Sequence, residues 1–139
     1  MSSLTKLFCG LTLITIPTIE FGGYFLLQIL SGNQSELGLT PFQEGMFRAG
    51  HGHAGVLVIL SLLAQIFTDY AVLSKSMEWL VRIGFPVAAM LVSGGFFAAA
   101  SGPGLTEPNG GITLLYIGVG LLAAGLVVLG IGLIKARKA

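Results

Sequence analysis

Glu20 stands in the middle of an apolar run, and Tyr24 and Gln28 follow it at four-residue intervals. On a helix this spacing places the three on one face, a polar stripe expected to turn into a helical bundle. An ionisable group at such a depth in a membrane costs on the order of a few kcal/mol unless it is protonated, paired or hydrated. Two readings follow: a neutral glutamic acid hydrogen-bonded to a neighbour for packing specificity, or a site for a proton, a metal or a ligand. Pro17, three residues earlier, lacks an N–H and frees the Leu13 carbonyl beside the stripe.

Both histidines of the chain fall in Arg48-Ala49-Gly50-His51-Gly52-His53-Ala54-Gly55. At i and i+2 on a regular helix their side chains point about 160° apart, which disfavours one haem iron or one tetrahedral zinc taking both. Gly50, Gly52 and Gly55 permit an irregular first turn, or close approach of a ring or helix. If the second helix opens near 51, His53 lies about 5–8 Å below the outer end and Glu20 about 15 Å below it. Side chains lean toward their own helix amino terminus, so direct shared coordination is disfavoured. A hydrogen-bonded chain through Tyr24 or water, lined by Ser93 and Tyr116, is the expected arrangement.

Other polar groups have narrower roles. Glu44 and Arg48, at i,i+4, are expected to form a rim ion pair, with Arg48 available to an anionic group such as a haem propionate or a lipid head. Met46 and Met90 are soft groups that could hold copper(I) but suit packing better. Arg82 is expected to snorkel toward lipid phosphates, and Pro86 leaves a carbonyl without its helical donor. Ser61, Gln65 and Asp69 form a second polar line along the second helix, readable as a proton path, although Asp69 sits at the inner, wet end. Cys9, the single cysteine, reads as a small apolar residue and excludes an intramolecular disulfide.

The elements that must position these groups are membrane helices. Of 139 residues, 54% are hydrophobic and 9% charged, which leaves too little charge for the surface of a soluble domain. A formal net charge of +1 supplies no basic field for nucleic acid. Four stretches, 7–30, 51–73, 79–100 and 112–134, are long enough to span a bilayer, which predicts an all-α, four-transmembrane-helix bundle as one domain over 1–139. The first helix is read as retained rather than as a removed signal, since no small-residue cleavage site follows it. Lys6, Lys75, Arg82, Lys135, Arg137 and Lys138 fall on one side and Arg48 on the other, which predicts both termini cytoplasmic, with Trp79 at the inner interface. Gly111, Gly118, Gly125 and Gly132 repeat every seven residues, and Gly94, Ala98 and Gly102 every four. Such seams let backbones approach, within the monomer by preference or in an oligomer. There is no internal duplication of the inverted-repeat transporter kind, and no phosphate-loop, dinucleotide or hydrolase motif.

The segments Pro17-Thr18-Ile19-Glu20-Phe21-Gly22-Gly23-Tyr24-Phe25-Leu26-Leu27 and Phe47-Arg48-Ala49-Gly50-His51-Gly52-His53-Ala54-Gly55-Val56-Leu57 resemble a family of small four-helix bacterial integral membrane proteins. The resemblance covers most of the chain and implies the architecture without an activity. The histidine segment is also similar to the haem–copper oxidase helix that carries a low-spin haem ligand in an Ala-His-Ala setting, matched here around His51 or His53. Those enzymes use histidines on further helices, which this chain lacks. The size and the Arg48-Ala49 start are similar to the four-helix glutathione and eicosanoid membrane enzymes, whose following Asn and Glu are not matched.

The expected function is that of a small bacterial inner-membrane, multi-pass binding or accessory protein. Its expected site lies in the outer half, with Glu20, Tyr24, Arg48, His51 and His53 around a haem or a transition metal such as copper or zinc. Glu20, His51 and His53 are the candidate metal ligands. The alternatives are an enzyme acting on a lipid-soluble substrate, with Glu20 or a histidine as acid or base, and a structural subunit of a homo-oligomer or larger membrane complex.

Overall fold

A computed structural model describes residues 1–33 and 37–137. It contains four helices, α1 (Ser3–Leu30), α2 (Pro41–Thr68), α3 (Lys75–Ala99) and α4 (Ile112–Ala136), and no strand among the described residues. All four are long and apolar enough to cross a membrane. Successive helices run in opposite directions, so the amino terminus, the α2–α3 connection and the end of α4 share one end of the bundle. Ser2 is bonded to Asp69 there, and the Val72 N–H donates to the Gly132 carbonyl at 3.1 Å.

The second helix begins ten residues earlier than the expected start at 51 and ends at Thr68 rather than 73. Its start is set by local chemistry. The Thr40 hydroxyl accepts from the Gln43 N–H at 3.2 Å, the Gln43 side-chain oxygen accepts from the Thr40 N–H at 3.1 Å, and Pro41 occupies the first turn. This reciprocal cap satisfies two donors that a helix start leaves open. Gln43 also donates to the Ala100 and Gly102 carbonyls at 2.9 and 2.7 Å, tying the start of α2 to the end of α3. From Gln43 to Gln65, both fully buried, α2 rises about 33 Å, close to the hydrocarbon thickness of a bilayer.

The bundle is uneven. α3 is central, packed against α2 on one side and α4 on the other, whereas α1 touches chiefly α2. Two buried clusters, one around Ala64, Val81, Phe85 and Leu129 and one around Leu57, Ala89 and Val92, form the core between α2, α3 and α4. On α1 the inward residues are Thr5, Cys9, Thr12 and Leu26, spaced four, three and fourteen residues apart along a single seam.

The seven-residue glycine seam of α4 works inside the monomer. A Cβ at Gly118 would stand 2.8 Å from the Val92 backbone, at Gly111 2.6 Å from the Ala98 backbone, at Gly125 2.9 Å from the Phe85 ring and at Gly132 2.6 Å from Leu73. On α3 the close approach is made by Gly95, whose Cβ would lie 2.5 Å from the Leu115 nitrogen, and not by Gly94, which is exposed with nothing near it. In a bilayer, where lipid supplies no hydrophobic drive between helices, such backbone proximity is a main source of packing energy.

The contrast between filled and open glycines is testable. Gly95→Ala should destabilise the bundle by about 1–3 kcal/mol, because backbone atoms of α4 cannot give way. Gly120→Ala, where a Cβ meets nothing, should instead stabilise it by up to about 1 kcal/mol through helix propensity. Unfolding midpoints in detergent measure both, and equal effects of the two would contradict the packing described.

Candidate functional site

The most densely bonded polar cluster lies at the end that carries the amino terminus. Arg82 is 2% exposed and makes four side-chain hydrogen bonds: Nε to Glu78 at 2.9 Å, Nη1 to the Thr5 hydroxyl at 2.9 Å and to Gln65 Oε1 at 3.3 Å, and Nη2 to Asp69 at 3.0 Å. Gln65 in turn donates to the Arg82 carbonyl at 2.8 Å. That carbonyl is the one Pro86 cannot serve, four residues on, so the free acceptor expected from the proline is filled by a neighbouring helix. Arg82 therefore does not snorkel to lipid phosphates; its guanidinium is held by three other segments of the chain.

Asp69 caps α2 and collects donors from the amino terminus. It accepts from the Ser2 N–H at 2.7 Å, the Ser2 hydroxyl at 2.8 Å and the Thr5 hydroxyl at 2.6 Å as well as from Arg82. Burial works to raise its pKa, but these hydrogen bonds together outweigh burial and hold the carboxyl well below the usual carboxylate range. Lys75 bonds Glu78 at 3.1 Å, so two cations face two carboxylates and the cluster is neutral. Ser61 donates to the Leu57 carbonyl within α2 and Gln65 to the Arg82 carbonyl of α3, so of this line it is Gln65 and Asp69 that tie α2 to α3.

The residues expected to form the site lie elsewhere, and the early start of α2 changes their relation. Thr5 and Gln65 meet at the Arg82 cluster and give a common level. Glu20 is fifteen residues beyond Thr5, and His51, His53 and Arg48 are fourteen, twelve and seventeen residues from Gln65. At 1.5 Å per residue these are heights of about 22, 21, 18 and 25 Å. The depth gap expected between Glu20 and the histidines is absent, because the histidines stand about 15–18 Å inside α2 rather than at its first turn.

Equal height does not bring them together. The His51 ring packs on α1 at Gly22 and Gly23, where a Cβ at Gly23 would stand 3.0 Å from Cε1 and 3.1 Å from Nε2. His53 points the other way: it is exposed, its ring lies 4.8 Å from that of Phe96, and Nδ1 bonds the Ala49 carbonyl at 2.8 Å. Glu20 and Tyr24 are exposed, so the expectation that their stripe turns into the bundle is not met. Each is one position past a residue facing α2, Ile19 or Gly23, and so emerges on the flank of α1. Gln28, third in the stripe, accepts from Asn33 at 2.9 Å.

Arg48 is exposed too, and the expected Glu44–Arg48 pair is not formed; the ion pairs among the described residues are Lys75–Glu78 and Arg82 with Asp69 and Glu78. Thr15 and Thr18 of α1 and Ala54 and Val58 of α2 border a groove on one side of the α1–α2 contact. By helical rotation Glu20, Tyr24 and Arg48 fall on the opposite side of that contact, on one shared face. No group of three or more His, Cys, Asp or Glu suited to a metal ion occurs among the described residues. Of the other expected lining groups, Tyr116 is exposed on α4, while Ser93 and Met90 border the groove.

Asp69 generates a pH prediction. A carboxyl whose folded pKa is depressed contributes stability that is complete above its unfolded value, roughly 3.9, and is lost as pH falls from there through the folded value. Stability attributable to this group should thus be flat from about pH 7 to about pH 5 and decline only below about pH 4. Asp69→Asn should lower stability at neutral pH by about 2 kcal/mol and blunt that acid decline, as read from unfolding midpoints in detergent across pH. A variant as stable as the parent at neutral pH would contradict the assignment. The chain as a whole matches no family model, no curated protein and no solved structure.

Proposed function

We propose that this protein is a small multi-pass accessory subunit of the bacterial inner membrane, with both termini cytoplasmic, which associates with a second copy of itself through the outer face of the α1–α2 pair. The orientation is supported by charge. Lys6, Lys75, Arg82, Lys135 and Arg137 gather at the Asp69 end, Arg48 is alone toward the other, and Lys138 lies outside the described residues.

The observation that carries the association is the pair Glu20 and Arg48. Both are exposed, at similar height, on one face of two adjacent apolar helices, and neither has an ion-pair partner among the described residues. Facing lipid, each would cost on the order of 3 kcal/mol. A two-fold contact resolves both at once, since Glu20 of one copy then meets Arg48 of the other and the reverse. Gly45, Gly52 and Gly55 of α2, where a Cβ meets nothing in the monomer, leave room for the second backbone to come close. Tyr24 adds a hydroxyl beside Glu20.

Charge exchange tests the reading. Glu20→Arg and Arg48→Glu should each shift the protein from dimer to monomer in mild detergent, and the double variant should restore the dimer. Gly52→Leu should do the same as the single variants while leaving the monomer's unfolding midpoint unchanged or higher. A parent protein that is monomeric by light scattering and uncross-linked in native membranes, or single variants that stay dimeric, would sink the proposal.

One observation favours a second reading, metal or haem ligation by His53. With Nδ1–H donating to the Ala49 carbonyl, Nε2 is a free donor atom on an exposed face, the arrangement usual for a ligating histidine. A Soret band or metal-induced absorption change that disappears in His53→Ala would support it. A featureless spectrum on haem and metal titration would remove it.

A further inference from the structure

Above the Thr5–Arg82 hydrogen bond, α1 and α3 part company. α3 is drawn onto α4 by Gly95, Gly118 and Gly125, and α1 follows α2, so a lateral groove opens between α1 and α3 with α2 as its floor. Its volume is about 460 Å³, within the range of ligand sites, and it runs from Phe8 to Ile19 along α1 and from Ile83 to Ser93 along α3. Small residues, Ala54, Ser61 and Ala89, keep it open, and the 65% exposed Met90 stands at its rim. None of its lining residues is ionisable.

The hydroxyls of this groove are not equivalent. Thr15, Thr18 and Ser61 give their hydrogens to the Thr12, Thr15 and Leu57 carbonyls. A helical serine or threonine commonly bonds back in this way. Ser93 does not: it is 7% exposed, borders the groove, and its Oγ has no hydrogen-bond partner. An unpaired buried hydroxyl calls for a partner, and a molecule seated in the groove would supply one. Ser93 is eleven residues beyond Arg82 and seven before Ala100, about 16 Å and about 10 Å from the two polar ends of the bundle.

We infer that the α1–α3 groove binds a neutral, lipid-soluble molecule carrying a carbonyl oxygen, of the isoprenoid-quinone kind, with the Ser93 hydroxyl donating to that oxygen. The uncharged lining excludes a phosphate headgroup. The depth of Ser93 requires a polar atom carried into the hydrocarbon layer, which the ester groups of a bilayer phospholipid, held at its surface, do not provide. The groove lies on the opposite side of α1–α2 contact from Glu20 and Arg48, so this inference stands apart from the dimer contact.

Trp79 offers a readout, as the only tryptophan of the chain and an edge-on neighbour, at 6.2 Å, of Phe8 in the groove lining. Decylubiquinone added to the full chain in phosphatidylcholine nanodiscs should quench Trp79 saturably, whereas the matched alkane dodecane should neither quench it nor compete. Ser93→Ala should weaken binding roughly 3- to 10-fold, the loss of one hydrogen bond. Ala54→Phe, which fills the floor, should abolish saturable quenching, with unfolding midpoints confirming that both variants are folded. Quenching that is linear in probe, or unchanged in both folded variants, overturns the inference. So does a Met90→Cys protein that cross-links through the groove to a second copy, since the occupant would then be a helix.

Discussion

A guanidinium held almost entirely out of solvent is the constraint around which this bundle is organised. Removing a partner from a buried ion pair is commonly far more costly than losing a single apolar contact. Its acceptors come from four places: Thr5 on α1, Gln65 on α2, Asp69 at the α2 end and Glu78 on α3 itself. Satisfying one side chain therefore fixes the relative height of three helices. The amino terminus joins through Ser2, whose hydroxyl both caps α1 by accepting from the Thr5 N–H at 3.1 Å and donates to Asp69. Gln43 performs a neutral version of the same task at the other end, where it holds the start of α2 against the end of α3.

Between these two polar clamps, glycine decides which helices meet. The α3–α4 contact is a backbone-to-backbone approach that any added carbon would break, as at Gly95 and Gly111. No such glycine seam joins α1 to α3 among the described residues, and the glycine of α1 that a neighbour approaches tightly is Gly23, under the His51 ring. The consequence is an asymmetric bundle with a tight half, a loosely attached first helix and a groove between them. Both features on which the proposals rest arise from that asymmetry. The groove exists because α1 meets α3 only near the Arg82 end, through Thr5 and Phe8, and Glu20 is exposed because beyond that end α1 turns toward α2 alone.

The sequence carried much of the architecture. Four apolar stretches mark the four helices, and the seven-residue period of Gly111 to Gly132 marks the packing face of α4. The start of α2 was legible and misplaced: Thr40-Pro41-Phe42-Gln43 is a capping box with proline in the first turn, a sharper signal than the polar look of the segment around it. A helix beginning at 51 would hold both histidines in its first turn, with a depth mismatch to Glu20 that the fold does not have. The divergence of His51 and His53 follows from 100° per residue and holds in the structure. Glycine at 94 and at 95 could not be told apart, since the choice between adjacent positions depends on the rotation of α3 against α4.

Composition, helix length and period are local properties, so the chain alone determined that this is a four-helix protein of membrane character with few polar groups to place. Which way those groups turn is a property of neighbours. Pro86 announces a free carbonyl and Gln65 a spare donor, yet only the packing of α2 on α3 brings one to the other at 2.8 Å. Ser61 and Ser93 are the same residue type on similar helices. Both are buried, yet one is satisfied by its own backbone and the other is left without a partner, because no neighbouring helix brings a hydrogen-bonding group to the Ser93 hydroxyl. Only the tertiary structure decided that Glu20 faces outward on the same side as Arg48, since a helix flank is inside or outside solely by virtue of what packs against it.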